Sequence, residues 1–185
     1  MYRNTQIIAE VKTHSPFGWR SEQTGEELFN LADTVGDIIS IHTDSRWGGS
    51  FELLKKVRSR TTKPILAKGL HLDDEAVHKA IDCGADLVLV VGRIPKRYAS
   101  QCVMEPYTLA ELRQIPATLK AVWNSRDLST GGLKREHFKE ARQIFPGWLC
   151  QASNIKTVDD IEVGADAVLV GSHLLEFVKS LKSQS

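Results

Sequence analysis

The stretch Asp82–Gly92, DCGADLVLVVG, returns in similar form at Glu162–Ser172, EVGADAVLVGS. The two Gly-Ala-Asp triplets lie about eighty residues apart, and each precedes a short, continuous apolar run. Such runs are typical of parallel strands that are buried on both faces. Such a triplet also occurs in ordinary helix-to-strand turns. A repeat at this distance nevertheless favours two similar halves of four strand–helix units each, which together would close an eightfold barrel.

Eight apolar runs divide the chain, and amphipathic helical patterns lie between several of them. Strand and helix in alternation predict a parallel sheet. We therefore expect an α/β fold, a (β/α)8 TIM barrel, with residues 1–185 as a single domain. The barrel would be unusually small, since about 250 residues are typical. The predicted strands are IIAEV, IISIH, PILAK, DLVLVV, QCVME, LKAVW, WLCQA and DAVLV.

The segments after the fourth, fifth and seventh strands are too short for full helices. We predict that helices four, five and seven are shortened or missing, and that apolar surface is exposed over those strands. The chain starts almost at the first strand, so we expect no N-terminal extension helix.

Composition excludes several classes of function. The formal net charge is +1 and no basic run stands out, so neither nucleic acid nor a membrane is expected as a partner. The polar start lacks a signal peptide, and the three cysteines show no CxxC spacing, which favours reduced thiols in a cytoplasmic protein. The six histidines show no metal-ligand spacing, so no metal site is predicted.

Ionisable residues cluster where the first, third and fifth strands end. Barrel enzymes carry their chemistry at the C-terminal ends of the strands, and Glu10, Lys12, Lys68 and Glu105 all stand there. Alternation puts Glu10 and Lys12 on one face, so we expect Glu10 to hold Lys12, leaving Lys68 alone with a pKa lowered by the second lysine. One such pair could be structural, but two lysines and two carboxylates favour an active site.

Five segments, in order, resemble the indole-3-glycerol-phosphate synthase family. The first, IIAEVKTHSP, is similar to the family's first strand, IIAE(I/V)KxxSP, and NSRDL is similar to its (I/V)N(N/S)RDL motif. The resemblance runs from about Ile7 to Leu175. The five segments are IIAEVKTHSP, ISIHTDSRWGGSFELLKKVR, KPILAKGLHLDDEAVHKAIDCGADLVLVV, VWNSRDLST and ASNIKTVDDIEVGADAVLVGS.

The resemblance implies a (β/α)8 enzyme of tryptophan biosynthesis, a carboxy-lyase without metal or organic cofactor. Its phosphorylated small-molecule substrate would be 1-(2-carboxyphenylamino)-1-deoxyribulose 5-phosphate, which is converted to indole-3-glycerol phosphate with loss of carbon dioxide and water.

The resemblance also implies roles for individual residues. Lys68 would be the general acid and Glu105 the general base or second acid, while Lys12 would hold anionic groups with Glu10 beside it. The implied substrate-binding residues are Ser15, Asn124 and Arg126. The implied phosphate-binding residues are Ser153, Asn154, Gly171 and Ser172.

The chain departs from the family pattern at two turns. Ala152 and Asn154 stand where the family has glutamate and glycine, and Gly69 and Leu70 stand where it has aspartate and phenylalanine. Asparagine tolerates a left-handed backbone, so the turn at Asn154 should survive. We expect a working but slower enzyme.

Two other classes of function stay open at this stage. One is a Schiff-base aldolase-type barrel with Lys68 or Lys12 as nucleophile, and the other is a non-catalytic phosphosugar-binding remnant. We expect a monomer or a weak homo-oligomer. His42 is interpreted as a polar wall residue, Trp19 as either a cover for the site or a surface contact, and Trp47 as a residue of the site's loops.

Overall fold

Eight parallel strands close into a barrel in the computed structural model, which describes residues 4–183. Each strand pairs with the next along the chain, and the eighth pairs with the first, with Gln6 opposite Ala167. The predicted (β/α)8 barrel is confirmed. The strands are Gln6–Val11 (β1), Ile38–His42 (β2), Ile65–Lys68 (β3), Leu87–Val91 (β4), Cys102–Glu105 (β5), Lys120–Asn124 (β6), Leu149–Ala152 (β7) and Ala167–Val170 (β8).

The helical layer is uneven, as predicted. β4 and β7 are followed only by three-residue 3-10 turns, Ala99–Gln101 and Val158–Asp160, and β5 is followed by a four-residue helix. None of the helices within residues 4–183 is long and apolar enough to cross a membrane. The α-helices are Gly25–Val35 (α1), Phe51–Arg58 (α2), Asp74–Asp82 (α3), Leu109–Leu112 (α4), Phe138–Ile144 (α5) and Leu174–Ser183 (α6).

At the starts of several helices, a side chain accepts a hydrogen bond from a backbone N–H group of the first turn. Thr24 forms a capping box with Glu27 at α1, and Ser50, Asp73 and Thr108 each accept a hydrogen bond from the backbone three residues on. These caps satisfy donors that a helix cannot satisfy internally. They explain why even the four-residue α4 begins at a defined point.

The core has two layers, one inside the barrel and one between the barrel and its outer elements. Val90 and Cys102, from β4 and β5, are fully buried in the outer layer despite the missing helix. Behind β7, Gln151 takes the place of helical cover, since its side-chain amide donates to Asp160 O at 2.9 Å and accepts from Glu162 N at 2.9 Å.

The expectation of exposed apolar surface over β4, β5 and β7 is therefore wrong. Loop residues, the side chain of Gln151 and the neighbouring short helices cover these strands: α3 packs against β4, and Leu112 of α4 is fully buried in the outer layer. Among the described residues, the exposed large apolar side chains lie mainly in the loops that follow the strands. They are Phe17, Leu72, Ile94, Tyr107, Leu133 and Val163.

The Gly-Ala-Asp repeat forms two matching clamps at the N-terminal ends of strands. Asp86 Oδ2 accepts hydrogen bonds from Ile65 N and Arg58 Nη1, both at 2.8 Å. Asp166 Oδ2 accepts from Leu149 N at 2.8 Å and from Arg142 Nη1 at 3.0 Å. Each clamp fixes the first residue of the preceding strand, on the side of the barrel opposite to the strand ends that carry Lys68 and Glu105.

The glycine of each triplet is required by the same clamp. Gly84 and Gly164 have φ of +102° and +88°, in the left-handed region that favours glycine. A Cβ on Gly84 would lie 2.5 Å from Arg58 Cγ, so the arginine packs where a side chain would otherwise stand. The repeat in the sequence is therefore a repeat of a structural device.

Candidate active site

A cavity of about 150 Å³ opens at the C-terminal ends of the strands, beside a smaller polar recess of about 40 Å³. Lys12, Lys68 and Ser172 line both spaces. The structure brings together all the site residues that the sequence singled out. Those on the main cavity are Lys12, Ser15, Lys68, Glu105, Asn124, Arg126, Ser153 and Ser172. Those that line only the recess are Glu10, Asn154 and Gly171.

A buried ion pair joins β1 to β3. Glu10, only 1 % exposed, places Oε1 at 2.8 Å from Lys68 Nζ. The expectation that Glu10 holds Lys12 and that Lys68 stands alone is wrong. Lys12 lies two residues nearer the mouth, and its Nζ donates instead to Ser172 Oγ at 2.8 Å, beyond β8.

The two lysines differ in proton affinity because Lys68, and not Lys12, forms the ion pair with Glu10. Burial works against the charge of Lys68, but attraction to Glu10 and then Glu105 outweighs it and raises the pKa of Lys68. Burial lowers the pKa of Lys12, since Glu10 offsets it only in part and Lys68 and Arg126 add repulsion. The expected lowering of the Lys68 pKa is therefore wrong, because that expectation left out the carboxylate partner.

Glu10 remains an anion in this setting. Burial alone would raise its pKa, but Lys68, His42 and Lys12 together hold the pKa of Glu10 well below its usual range. Its second oxygen, Oε2, lies against Gly171, where an added Cβ would stand only 1.9 Å away. The absence of a side chain at Gly171 therefore makes room for the carboxylate.

A hydrogen-bonded chain links β5, β6 and β7. Asn124 Nδ2 donates to Glu105 Oε1 at 2.8 Å, and Asn124 Oδ1 accepts from Ser153 Oγ at 2.6 Å and from Arg126 N at 3.0 Å. These contacts fix the orientation of the buried amide and hold the Glu105 carboxylate at the cavity wall. The Ser153 hydroxyl donates within the protein, so what it can still offer an anion is its backbone N–H.

The turn after β7 keeps a left-handed backbone. Ser153 and Asn154 have φ of +74° and +58°. The expectation that asparagine would preserve this turn is confirmed, since asparagine enters the left-handed region more readily than most residues.

The comparison with known proteins covers nearly the whole chain. A sequence model of the family described as "Indole-3-glycerol phosphate synthase" matches residues 2–182. The chain belongs to the indole-3-glycerol phosphate synthase family.

Curated proteins named indole-3-glycerol phosphate synthase are similar to this chain over most of both lengths. The protein of Leifsonia xyli subsp. xyli is 31 % identical and covers 92 % of this chain and 75 % of its own. That of Leptospira interrogans is 28 % identical, with 94 % of this chain and 78 % of its own covered. One from Staphylococcus aureus (strain bovine RF122 / ET3-1) is 26 % identical, with 98 % and 81 % covered.

Of the departures from the pattern of the indole-3-glycerol phosphate synthase family, that at Gly69 has a local explanation. A Cβ on Gly69 would meet Thr43 Oγ1 at 2.7 Å and His71 Cε1 at 3.1 Å, so the glycine leaves room for these two neighbours. His71 is buried and its Nδ1 lies 2.6 Å from Leu89 O. At Ala152, which is 3 % exposed, the chain places a methyl group instead of a carboxylate.

Aromatic rings flank the basic groups of this synthase-family site. The Trp19 ring lies 5.0 Å from Lys12 Nζ, and Trp47 stacks on His42 with ring centroids 5.3 Å apart. Both indoles line the main cavity, so Trp19 belongs to the site and not to a remote surface contact.

Two apolar loop residues of the cavity wall, Phe17 and Leu128, were not predicted from the sequence. Both lie in loops, where no periodic pattern marks a buried position. Phe17 packs so closely on Gly131 that a Cβ there would lie 2.5 Å from the ring, which joins the loops after β1 and β6. The position of Phe17, directly after the Ser-Pro pair that ends the first motif, was the one signal in the sequence that could have predicted its place in the site.

Within residues 4–183, no group of three or more His, Cys, Asp or Glu is arranged to hold a metal ion.

Proposed function

We propose that this chain closes the indole ring of indole-3-glycerol phosphate, using the residues that surround the Glu10–Lys68 pair. Its substrate would be 1-(2-carboxyphenylamino)-1-deoxyribulose 5-phosphate, which loses carbon dioxide and water in the reaction. The observation that carries the proposal is a lysine kept charged by a buried carboxylate, with a second carboxylate, Glu105, on the wall of the same cavity.

The charges of the site suit a substrate with two anionic ends. Lys12, Lys68 and Arg126 line both the cavity and the recess, and their cations can offset a carboxylate and a phosphate. The recess is the proposed phosphate site, because Ser172 and the turn at Ser153 line it and α6 begins just beyond, at Leu174. Helix starts and their backbone N–H groups favour bound anions.

Ring closure joins an aromatic carbon to the ketone carbon, and negative charge grows on the ketone oxygen. We assign Lys68 to this oxygen, first as the offsetting cation and then as the proton donor. Its raised pKa keeps it protonated at neutral pH, and an alkoxide is basic enough to take that proton. Glu10 then holds the lysine in place and remains an anion.

Carbon dioxide then leaves and restores the electron pair of the ring. Loss of water needs an acid at the departing hydroxyl, and the aromatic ring forms only when the CH2 carbon beside the nitrogen also loses a proton. Lys68, reprotonated from water after the first step, can serve the hydroxyl, and Glu105 can take the proton, with Asn124 orienting the Glu105 carboxylate. Lys12, bonded to Ser172 at the recess, is assigned to anion binding.

The environment of Lys68 argues against an aldolase of the Schiff-base type. Such an enzyme needs a neutral amine, and a lysine whose pKa is raised by a buried carboxylate is a poor nucleophile. Borohydride in the presence of a keto-phosphate should trap no adduct on Lys68.

The direct test is fluorescence-detected formation of indole-3-glycerol phosphate from the proposed substrate by the purified protein. We expect turnover that Glu105→Gln reduces by about 10²-fold or more, the usual range for a general acid–base group. Lys139→Gln, on the exposed face of α5, is the matched control and should leave turnover unchanged. A wild-type protein that binds the substrate without making product would favour the phosphosugar-binding alternative and contradict the proposal.

A further inference from the structure

His71 is a buried histidine in the loop after β3, and its backbone lies in the left-handed region with φ of +44°. Histidine enters this region more readily than most residues, but such a conformation persists only where surrounding contacts hold it. Two contacts hold it here: Nδ1 lies 2.6 Å from Leu89 O, and His71 O accepts from Arg93 Nε at 3.1 Å. They place the imidazole beside Gly69, where an added Cβ would meet Cε1 at 3.1 Å.

The partners of the His71 ring decide which nitrogen carries the proton. A carbonyl oxygen can only accept, so the short contact with Leu89 O puts the proton on Nδ1. Burial lowers the pKa of His71, and the hydrogen bond to Leu89 O offsets this only in part, so the ring is neutral at pH 7. Nε2 is then an acceptor, and Thr43 Oγ1 lies 3.2 Å from it.

Thr43 joins this acceptor to the main chain of Lys68. Thr43 follows β2 directly, its backbone N donates to Lys68 O at 2.8 Å, and its Oγ1 lies 3.2 Å from the same oxygen. The hydroxyl has one proton for two acceptors. Lys68 O already accepts the backbone N–H, so His71 Nε2 is the acceptor that needs the hydroxyl proton. Thr43 thereby ties the end of β3 to His71, and His71 ties it to β4.

The reach of Lys68 depends on where this main chain ends. Lys68 Nζ meets Glu10 Oε1 at 2.8 Å, across the barrel interior from β3 to β1. We propose that Thr43 and His71 are positioning residues for Lys68, and that their contact fixes the main chain from which the proposed acid extends. The inference rests on the proposed function for the role of Lys68. Both residues act through Lys68 and not on the substrate.

Two substitutions break the Thr43–His71 contact from opposite sides. Thr43→Val removes the hydroxyl and keeps the shape of the side chain, whereas Thr43→Ser keeps the hydroxyl. His71→Asn suits the left-handed backbone and keeps a donor near Leu89 O, but its shorter side chain does not reach Thr43. The matched control is Thr61→Val, in the segment that leads into the other end of β3, where Thr61 Oγ1 donates to Asp33 Oδ1 at 2.7 Å.

We expect Thr43→Val and His71→Asn each to lower kcat about 10- to 10²-fold, the cost of misplacing a reacting group by up to about 1 Å. KM should stay within about twofold of wild type, because the proposed acid acts mainly in the transition state. Thr43→Ser should keep most of kcat, and Thr61→Val should not change it. The double variant should lose no more than the worse single variant, since both substitutions remove the same contact.

A second measurement follows Lys68 without turnover. In protein with 15N-labelled lysine, the ammonium signal of Lys68 is identified by its absence from Lys68→Ala. Its protons should exchange slowly with water, because the ammonium is buried against Glu10. In Thr43→Val and His71→Asn this exchange should be about tenfold faster or more, as expected when a buried group opens to water. In Thr43→Ser and Thr61→Val it should match wild type.

Unchanged exchange in both Thr43→Val and His71→Asn overturns the inference, whatever the kinetics. An equal loss of kcat in Thr61→Val also overturns it, because the effect would then be one of general stability. So does a loss that appears only in KM, which would make the two residues part of the binding wall. If Thr43→Val does not fold, His71→Asn provides the test. Should the wild type make no product while the exchange pattern holds, the proposed function fails and the positioning of Lys68 stands.

Discussion

At the scale of single residues, the Glu10 carboxylate depends on contacts to both of its oxygens. Oε1 faces Lys68 and His42, and Oε2 lies in the space that Gly171 leaves open. The motif in β1 shows that a carboxylate and an ammonium share a face, because alternation along a strand is fixed. Alternation does not say how far a long side chain extends, and for this reason the pairing of Glu10 with Lys68 could not be predicted from the sequence.

Gly171→Ala should disable the site with little change in the fold. The new Cβ would lie 1.9 Å from Glu10 Oε2, so the carboxylate must move away from Lys68. We expect kcat/KM to fall by about 10²-fold or more, as for loss of an acid–base group. Gly25→Ala is the control, since its Cβ would meet its nearest neighbour at an ordinary 3.7 Å. Full activity in Gly171→Ala would show that the position of Glu10 is unimportant.

The two lysines should differ in the kinetic constant that they affect. Lys68→Ala removes the proposed acid and should reduce kcat by about 10²- to 10⁴-fold. Lys12→Ala removes a contact made before and during the transition state, so more of its loss should appear in KM. If Lys68→Ala keeps near wild-type kcat, or Lys12→Ala abolishes turnover with KM unchanged, the two roles are exchanged.

Acid should remove the stabilising effect of Glu10. Its folded-state pKa is lowered, so its contribution is complete above the unfolded pKa, near 4.5, and is lost as the pH falls through the lower folded value. The Tm of wild type should exceed that of Glu10→Gln at pH 7, and the difference should shrink steadily below about pH 4.5. Thermal unfolding followed by circular dichroism measures this, and a constant difference down to pH 3 would contradict it.

At the scale of elements, the sequence predicts the strands well, but it does not predict which residues bury the outer faces of the strands where the helices are short. Continuous apolar runs such as Leu87–Val91 can only be buried on both faces, so each became a strand. The sequence also indicates that helices four, five and seven are short. It does not show that Gln151 would satisfy the loop behind β7, because a single polar residue in an apolar run carries no directional signal.

The two clamps should stabilise the fold without contributing to catalysis. Asp86→Ala and Asp166→Ala each leave the first backbone N–H of a strand without its acceptor, which should cost about 1–3 kcal/mol. The arginine pairs add little, since both aspartates are partly exposed. Chemical denaturation measures the loss, and kcat should stay near wild type.

Asp82→Ala is the matched control for the clamps. Its carboxylate lies on the surface, 3.3 Å from His78 Nε2. The free energy of unfolding should change by no more than about 0.5 kcal/mol. Equal losses in Asp82→Ala and Asp86→Ala would show that the clamp has no special effect.

At the scale of the whole molecule, most of the exposed large apolar side chains lie singly in loops near the mouth of the barrel. Ile94 and Tyr107, which follow β4 and β5, are 41 % and 47 % exposed, whereas the strands beside them are covered. Scattered side chains of this kind support at most weak association. Sedimentation velocity at micromolar concentration should show a monomer or a weak, concentration-dependent dimer. A tight oligomer would contradict this.

The short connection after β4 separates the proposed active-site residues into two groups along the chain. The part of the chain before the turn at Ala99–Gln101 carries Glu10, Lys12 and Lys68, and the part after it carries Glu105 and Asn124. Each half also carries one copy of the aspartate clamp, Asp86 in the first and Asp166 in the second. If the two halves were expressed as separate fragments, each would keep its own aspartate clamp and neither would have the complete active site. Recovery of activity on mixing them would therefore report their association, as in a split enzyme.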